Sequence, residues 1–498
     1  MFAACYGLAI TLLFNVFLTE QSHLPSEHFQ QNADFSMTHF SAPLDSIEDF
    51  IISEMESHHV PGLAACIVID DQVVWSFAHG YQRVDPEIMV CDSTLFMMAS
   101  ISKTFTGAAV MQLREDGLLE LTDPVNDHLT DFQVVNPFHP DSVITIWNLL
   151  THTSSLKDNF DLMMSLYTYG GDSPIPLGEY LFDYFDPSGL YYNLNDNFYT
   201  VPPGEEYHYC NEAYALLGYL VEEIAAMPFD EYCNQNLFGP MGMYETSWFI
   251  ADLDTSHVAM PYQWFYDHWD PYGYYGYPDY PCGQLRTSSH QLAQMLIAYL
   301  NDGWVNGFQM LDSATVAEVT TLQCPSLNDE MCLTWFKCIR NTHVVWMHTG
   351  GDLGVNTVYG FVPLEDTGVV VLLNKSGSTC LSSVYLALLD YAEVLTGIEE
   401  EHGGAEAFTG ALRAGPSPCF GSLSISCTVP AGGNRSIDIY DTAGRMIRRL
   451  EIESAGGTQE LHWDGLDQAG NPVSSGIYYC RLKMPGQTLV QSVVMMQR

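Results

Sequence analysis

The chain has 498 residues and a formal charge of −45 at neutral pH, from 61 acidic and 16 basic side chains. So few cations cannot assemble the basic footprint that nucleic acid or an anionic membrane surface requires, which excludes both as partners. With 47% apolar residues the chain has ample material for a core, and its length suggests two or three domains.

The chain opens on a mostly apolar run, Phe2 to Leu18, followed by Thr19-Glu-Gln-Ser22. This predicts a signal peptide over 1–21 and export to the periplasm, cell surface or exterior, although no basic residue precedes the run; an uncleaved anchor and a mistaken start codon are the alternatives. No other segment is long and apolar enough to span a bilayer. Residues 22–43 are polar and read as a linker. Leu44 to His58 then carries helical spacing (Leu44, Ile47, Phe50, Ile51, Met55), which Pro61-Gly62 stops. Leu63–Ile69 and Val73–Phe77, flanking Asp70-Asp-Gln72, predict a β-hairpin.

Phe96-Met-Met-Ala-Ser100-Ile-Ser-Lys103 follows, at the head of an apolar helix marked by Phe105, Ala108, Ala109 and Leu113. On a first helical turn Lys103 projects from the same face as Ser100. A lysine beside a serine can take its proton only if burial depresses the lysine pKa, and that depression is the expectation here. The Ser-x-x-Lys pattern recurs at Ser154 and Lys157, so the spacing alone leaves two candidates. Further on, helical periodicity returns over Asn211 to Ala226 and Gln291 to Leu300. Strand-like runs follow at Val344–Trp346, Thr357–Val362 and Gly368–Asn374, and a helix over Ser382 to Leu395 closes the first domain. A helix, a hairpin and then a helix-rich stretch before more strands predict a sheet flanked by helices.

Three motifs in order, with the strings between them, resemble the serine β-lactamase and penicillin-binding superfamily. The branch is that of class C β-lactamases, D-Ala-D-Ala carboxypeptidases and related esterases. The motifs are Ser100-Ile-Ser-Lys103, Tyr209-Cys-Asn211 and His348-Thr-Gly-Gly351; the strings include Leu149-Leu-Thr-His-Thr-Ser154, Pro240-Met-Gly-Met243 and Gly283-Gln-Leu-Arg286. The resemblance covers roughly residues 44 to 397. It implies an α/β (α+β) β-lactamase/transpeptidase-like domain over 44–398, with an antiparallel sheet flanked by helices. It also implies a serine hydrolase that uses no cofactor and no metal. Ser154 falls in a structural string of the family, which leaves Ser100 as the nucleophile. The resemblance gives Lys103 and Tyr209 general-base and general-acid duty, and has Asn211 orient the substrate amide or Lys103. His348, Thr349 and Gly350 face the substrate, and the backbone N–H groups of Ser100 and Gly351 form an oxyanion hole, worth about 3 kcal/mol per donor.

Many β-lactamases of the family carry lysine where His348 stands. A histidine is only partly charged near neutrality, so esterase or carboxypeptidase activity on a small-molecule or peptidoglycan-peptide substrate is expected. β-Lactam hydrolysis, and silent binding of cell-wall peptide, are the alternatives. The aromatic stretch from Pro261 to Cys282 is either a lid over the cleft or a loop packed on its own rings. Among 13 cysteines no C-x-x-C occurs, which argues against structural zinc. Cys324, Cys332 and Cys338 lie close in sequence as a disulfide or as free thiols.

The last 82 residues balance seven acidic against seven basic side chains, so the whole negative excess lies before them. Such a shift marks a domain boundary, with 399–418 as a linker rich in Gly, Ala and Pro. Beyond it Leu423–Cys427, Ser436–Tyr440 and Ile477–Leu482 alternate apolar and polar residues, predicting a small all-β sandwich over 419–498. Tyr440-Asp-Thr-Ala-Gly-Arg445 and Trp463-Asp-Gly465 resemble FlgD-type immunoglobulin-like and secretion-sorting domains. That resemblance implies contact with secretion machinery, against the alternative of a plain appendage.

Overall fold

The run Thr367–Leu373 is apolar at almost every position and buried throughout, which is what a strand covered on both faces requires. In the computed structural model it is the central strand of a seven-stranded sheet. The structure describes residues 44–340, 343–398, 411–415, 419–429, 435–441, 446–452, 457–484 and 487–496. The expected signal peptide over 1–21 and linker over 22–43 lie outside these residues.

Helix Leu44–Ser57 (α1) leads into strands Gly62–Ile69 (β1), Gln72–Arg83 (β2) and Ile88–Met89 (β3). Helices Ser102–Glu115 (α2), Asn211–Ala225 (α3) and Ser289–Leu300 (α4) follow. The chain returns to the sheet through Phe336–Arg340 (β4), His343–Asp352 (β5), Val355–Val362 (β6) and Thr367–Leu373 (β7), and Cys380–Ile398 (α5) ends the domain. The sheet order is β4-β5-β6-β7-β1-β2-β3, and its pairings are antiparallel.

Strand alternation divides the core. Leu63, Ala65 and Ile67 of β1 join Val369, Val371 and Leu373 of β7 against α1 and α5. The intervening Ala64, Cys66 and Val68, with Val370 and Leu372, face a larger cluster that includes Phe105 of α2, Leu217 of α3 and Leu296 of α4. One register therefore fixes both layers, since a slip of one residue would exchange them.

The C-terminal part is a two-sheet sandwich around Trp463, Ile425 and Ile439. One sheet pairs Ala411–Gly415, Leu423–Val429 and Gly457–Trp463; the other orders Cys419–Phe420, Gln487–Met496, Gly476–Met484, Arg435–Asp441 and Met446–Ile452. The expected linker over 399–418 needs correction, because Ala411–Gly415 is a strand paired with Leu423–Val429. Composition pointed to a linker there, and sheet pairing outweighs the weak strand preference of Gly and Ala. The sandwich is tied to the hydrolase-like domain at the β6–β7 turn. Arg481 donates to the Pro363 carbonyl at 2.7 Å and to Asp366 at 2.8 Å, and pairs with Asp438 at 3.4 Å.

The aromatic stretch splits between its two readings. Hairpin Tyr262–Phe265 and His268–Pro271 packs on the domain body, with Trp264 stacked on His59 at 4.1 Å and Trp269 donating to the His59 carbonyl at 2.9 Å. Tyr275 turns instead toward the end of β5, donating its hydroxyl to the Leu353 carbonyl at 2.8 Å, with Tyr277 packed beside it. The twelve cysteines of the described residues are unpaired, Cys324, Cys332 and Cys338 among them.

Candidate active site

Ser100 lies in a short 3-10 turn, Ala99–Ile101, immediately before α2. Ala99 holds φ at 47°, a left-handed conformation unusual for a side chain with a Cβ and a form of backbone strain typical of functional turns. Two contacts fix the turn: Thr357 of β6 donates to the Met98 carbonyl at 2.8 Å, and Gly350 of β5 lies directly against it. A Cβ on Gly350 would meet that carbonyl at 2.1 Å, so only glycine lets the strand come this close.

Lys103, the second residue of α2, is fully buried. Its ammonium donates to Ser100 Oγ at 3.2 Å, to Asn211 Oδ1 at 2.7 Å and to the Cys282 carbonyl at 2.8 Å. Three acceptors consume all three N–H bonds. Burial alone would lower the Lys103 pKa, but Tyr209, Cys282 and Asp158 outweigh it and the net shift is upward. The expected depression is therefore corrected: Lys103 rests as a saturated ammonium and has no lone pair to offer Ser100.

Tyr209 sits over this ammonium, with the ring centroid 5.0 Å from Nζ. Its hydroxyl is buried and, among the described residues, has no partner in full hydrogen-bond geometry, although Lys103 and Ser100 lie near enough to act on it. Burial raises its pKa, while Lys103 and Ser100 act in the opposite direction. The ring rests on His152, centroids 4.3 Å apart. His152 accepts the Cys210 N–H at Nδ1, 3.1 Å, and burial, with the charge of Lys103, pushes its pKa well down, so it stays neutral.

Asn211 is engaged at both ends. Its carbonyl faces Lys103, and its amide donates to Asp158 at 2.8 Å. Asp158, buried, also accepts the backbone N–H groups of Asn211 at 2.8 Å and Glu212 at 3.1 Å, capping the N-terminus of α3. The Cys210 thiol donates to the same carboxylate at 3.2 Å. Sequence reasoning missed Asp158, His152 and the Cys282 carbonyl. Of these only His152 carried a signal, in the Leu-Leu-Thr-His-Thr-Ser string.

β5 forms the facing wall. Its pairing with β4 ends at Met347, opposite Phe336, so beyond it the strand presents a free edge along the Ser100 turn. His348, Thr349, Gly350 and Gly351 occupy this edge, and Gly351 is exposed. His348 is buried against Phe336 and hydrogen-bonds the Thr349 carbonyl through Nδ1 at 2.7 Å, so Nδ1 carries the proton. Burial and the Lys103 charge lower its pKa to about 3. The expected partial charge is thus corrected to none. The second Ser-x-x-Lys pair does not form a site: Ser154 is buried, while Lys157 donates to the Asn195 carbonyl at 2.9 Å on the surface.

Comparisons with known proteins match the fold. Among solved structures, the octameric penicillin-binding protein homologue from Pyrococcus abyssi matches with a TM-score of 0.58 at 20% identity, covering 91% of this chain and 96% of that one. The penicillin binding protein from Bacillus halodurans matches with a TM-score of 0.55 at 25% identity, covering 68% and 98%. Protein flp of Staphylococcus aureus is 28% identical over 224 residues, 44% of this chain and 41% of that protein. The aligned region thus spans less than half the length of this curated relative. A FlgD Ig-like domain is matched by residues 421–485. The beta-lactamase family model matches residues 47–391, a span that includes Ser100, Lys103, Tyr209, Asn211 and the β5 edge, and the chain belongs to that family of serine hydrolases.

Proposed function

We propose that the protein is an exported serine hydrolase that opens an ester or amide through an acyl-enzyme on Ser100, of the esterase or D-Ala-D-Ala carboxypeptidase kind. The observation that carries this reading is the Lys103 ammonium 3.2 Å from Ser100 Oγ and 2.7 Å from Asn211 Oδ1, beneath the Tyr209 ring. Export rests on the apolar run at 2–18 and on the FlgD-like tail; among the described residues no helix is long and apolar enough to cross a membrane.

At rest Lys103 is charged and Tyr209 is a neutral phenol. Loss of one proton from this pair creates the base, with the phenolate steadied by the ammonium beside it. The base takes the Ser100 proton as Oγ bonds to the substrate carbonyl carbon. The same proton passes to the departing oxygen or nitrogen as its bond to that carbon breaks. Water then repeats the sequence on the acyl-enzyme and releases the acid. Because both members of the pair titrate above their ordinary values, kcat/KM rises with pH on the alkaline side.

A neutral His348 supports ester chemistry over β-lactam hydrolysis, since it offers no cation to a substrate carboxylate; a D-Ala-D-Ala peptide, which also ends in a carboxylate, would rely on hydrogen bonds there. Turnover of p-nitrophenyl butyrate, an N-acylated D-Ala-D-Ala peptide and benzylpenicillin, compared for wild type and Ser100→Ala, tests the reading. Ser100-dependent turnover of the ester or peptide above that of the penicillin is expected. Fastest turnover of penicillin would make the protein a β-lactamase, and no Ser100-dependent reaction with any of them would favour a silent binder.

A further inference from the structure

Past Gly351 the β5 edge carries a carboxylate. Alternation sends His348, Gly350 and Asp352 to one face of the strand. Gly350 meets the Met98 carbonyl on that face, so the face looks onto the Ser100 turn. Asp352 lies two residues further, about 7 Å along the strand, on the side of Ser100 opposite His348. There it meets Tyr167, whose hydroxyl donates to its two carboxylate oxygens at 3.0 Å and 3.3 Å. Tyr167 packs in a cluster with Tyr275 and Tyr277, at centroid distances of 5.3 Å and 5.0 Å, the latter two rings lying 6.4 Å apart. Tyr275 spends its hydroxyl on the Leu353 carbonyl at 2.8 Å.

Asp352 is part-buried, and a carboxylate drawn out of water ordinarily sits beside a lysine or arginine. Among the described residues Asp352 has no ion pair. Arg286, which feels its charge, spends its guanidinium on the carbonyls of Trp248, Gln284 and Tyr275. The other titratable groups that sense Asp352 are Tyr167, Tyr169, Tyr272, Tyr275 and Tyr277. Burial raises the carboxyl to about 6 against the hydrogen bonds that lower it, so at neutrality it is an anion beside aromatic rings. A carboxylate with aromatic faces is the chemistry that recognises an ammonium. The field of a chain with a formal charge of −45 also draws cations toward the protein.

We propose that Asp352, with Tyr167, Tyr275 and Tyr277, forms a subsite for an ammonium group carried on the acyl side of the substrate. The inference rests on the acyl-enzyme reading of Ser100, in which the His348 end faces the leaving-group side. The geometry then selects acyl groups that end in an amine and disfavours those that end in a carboxylate.

The experiment compares p-nitrophenyl 6-aminohexanoate with p-nitrophenyl hexanoate, each corrected for its rate with hydroxide. Wild type is expected to favour the amine by about tenfold in kcat/KM at pH 7.5, and Asp352→Asn to bring the ratio near one. A ratio near one in wild type, or an unchanged ratio in Asp352→Asn, overturns the subsite. Should that variant not fold, the wild-type ratio is measured across pH: it should fall as Asp352 is protonated below about 6, and a constant ratio overturns the proposal. Calorimetric binding of n-hexylammonium separates this inference from its premise. Wild type and Ser100→Ala should both bind it, and absence of binding to wild type counts against the subsite even if neither ester reacts. Failure of any ester or penicillin to acylate Ser100 counts against the premise alone.

Discussion

β5 carries two buried histidines five residues apart, and they end with opposite protonation. At His343 burial alone would lower the pKa, but hydrogen bonds to Asp390 at 3.2 Å and Glu365 at 2.9 Å raise it to about 10. At His348 burial meets no carboxylate; the Lys103 charge adds to it, and the pKa falls to about 3. One residue type in one strand is an imidazolium at neutral pH at the far end of the sheet and a neutral ring at the site. The far end closes its charges on one another, His343 across to Asp390 of α5 and Asp366 across to Arg481 of the tail. At the site end Lys103 is buried on three oxygens with Asp158 behind Asn211, and among the described residues Asp352 has no cation, which leaves one charge for a substrate to meet.

Removing the site's cation tests the contrast most severely. Lys103→Met is expected to lower kcat/KM by about 10³-fold while His348 titrates at higher pH, read by the histidine ring signals in NMR. An unmoved His348 would break the claim that Lys103 keeps it neutral. Asp158→Asn should loosen the cap on α3 and misplace Asn211, costing about 10²-fold in kcat with a smaller change in KM; an effect confined to stability would make Asp158 merely structural. His348→Lys puts a charge where the strand now has none, and should raise the ratio of penicillin acylation to neutral-ester acylation by about tenfold.

The smallest effect lies at the far end. His343→Gln should cost about 2 kcal/mol of stability at pH 7 and leave kcat unaltered. The sign follows from the raised pKa. His343 binds its proton more tightly folded, so its stabilisation is complete below the unfolded value of 6.5 and is lost as pH rises through about 10. The Tm difference between wild type and variant should therefore shrink progressively between pH 6.5 and about 10, and a constant difference would show that the clamp is not ionic.

Much of this was legible in the chain. Ser100 and Lys103 three residues apart had to share a helix face, and the Val-Val-Val-Leu-Leu run of β7 had to be covered on both sides. The direction of the Lys103 shift was not legible, because it depends on Tyr209, Cys282 and Asp158, which only the fold brings beside it. Asp158 escaped for a related reason: a carboxylate that caps a helix 53 residues away leaves no local pattern. Tyr167, Tyr275 and Tyr277 were lost among 29 tyrosines, since aromatic density says nothing of which rings meet. In the tail, pairing with Leu423–Val429 made a strand of Ala411–Gly415, whose composition favours a linker.

The most direct test of the central claim is intact-mass spectrometry of the wild type and Ser100→Ala during incubation with benzylpenicillin and with an activated ester, from pH 6 to pH 10. Transient or lasting addition of one acyl group to wild type alone, located on the Ser100 peptide and forming faster as pH rises, is the predicted result. Equal labelling of Ser100→Ala, or an adduct on another residue, would contradict it.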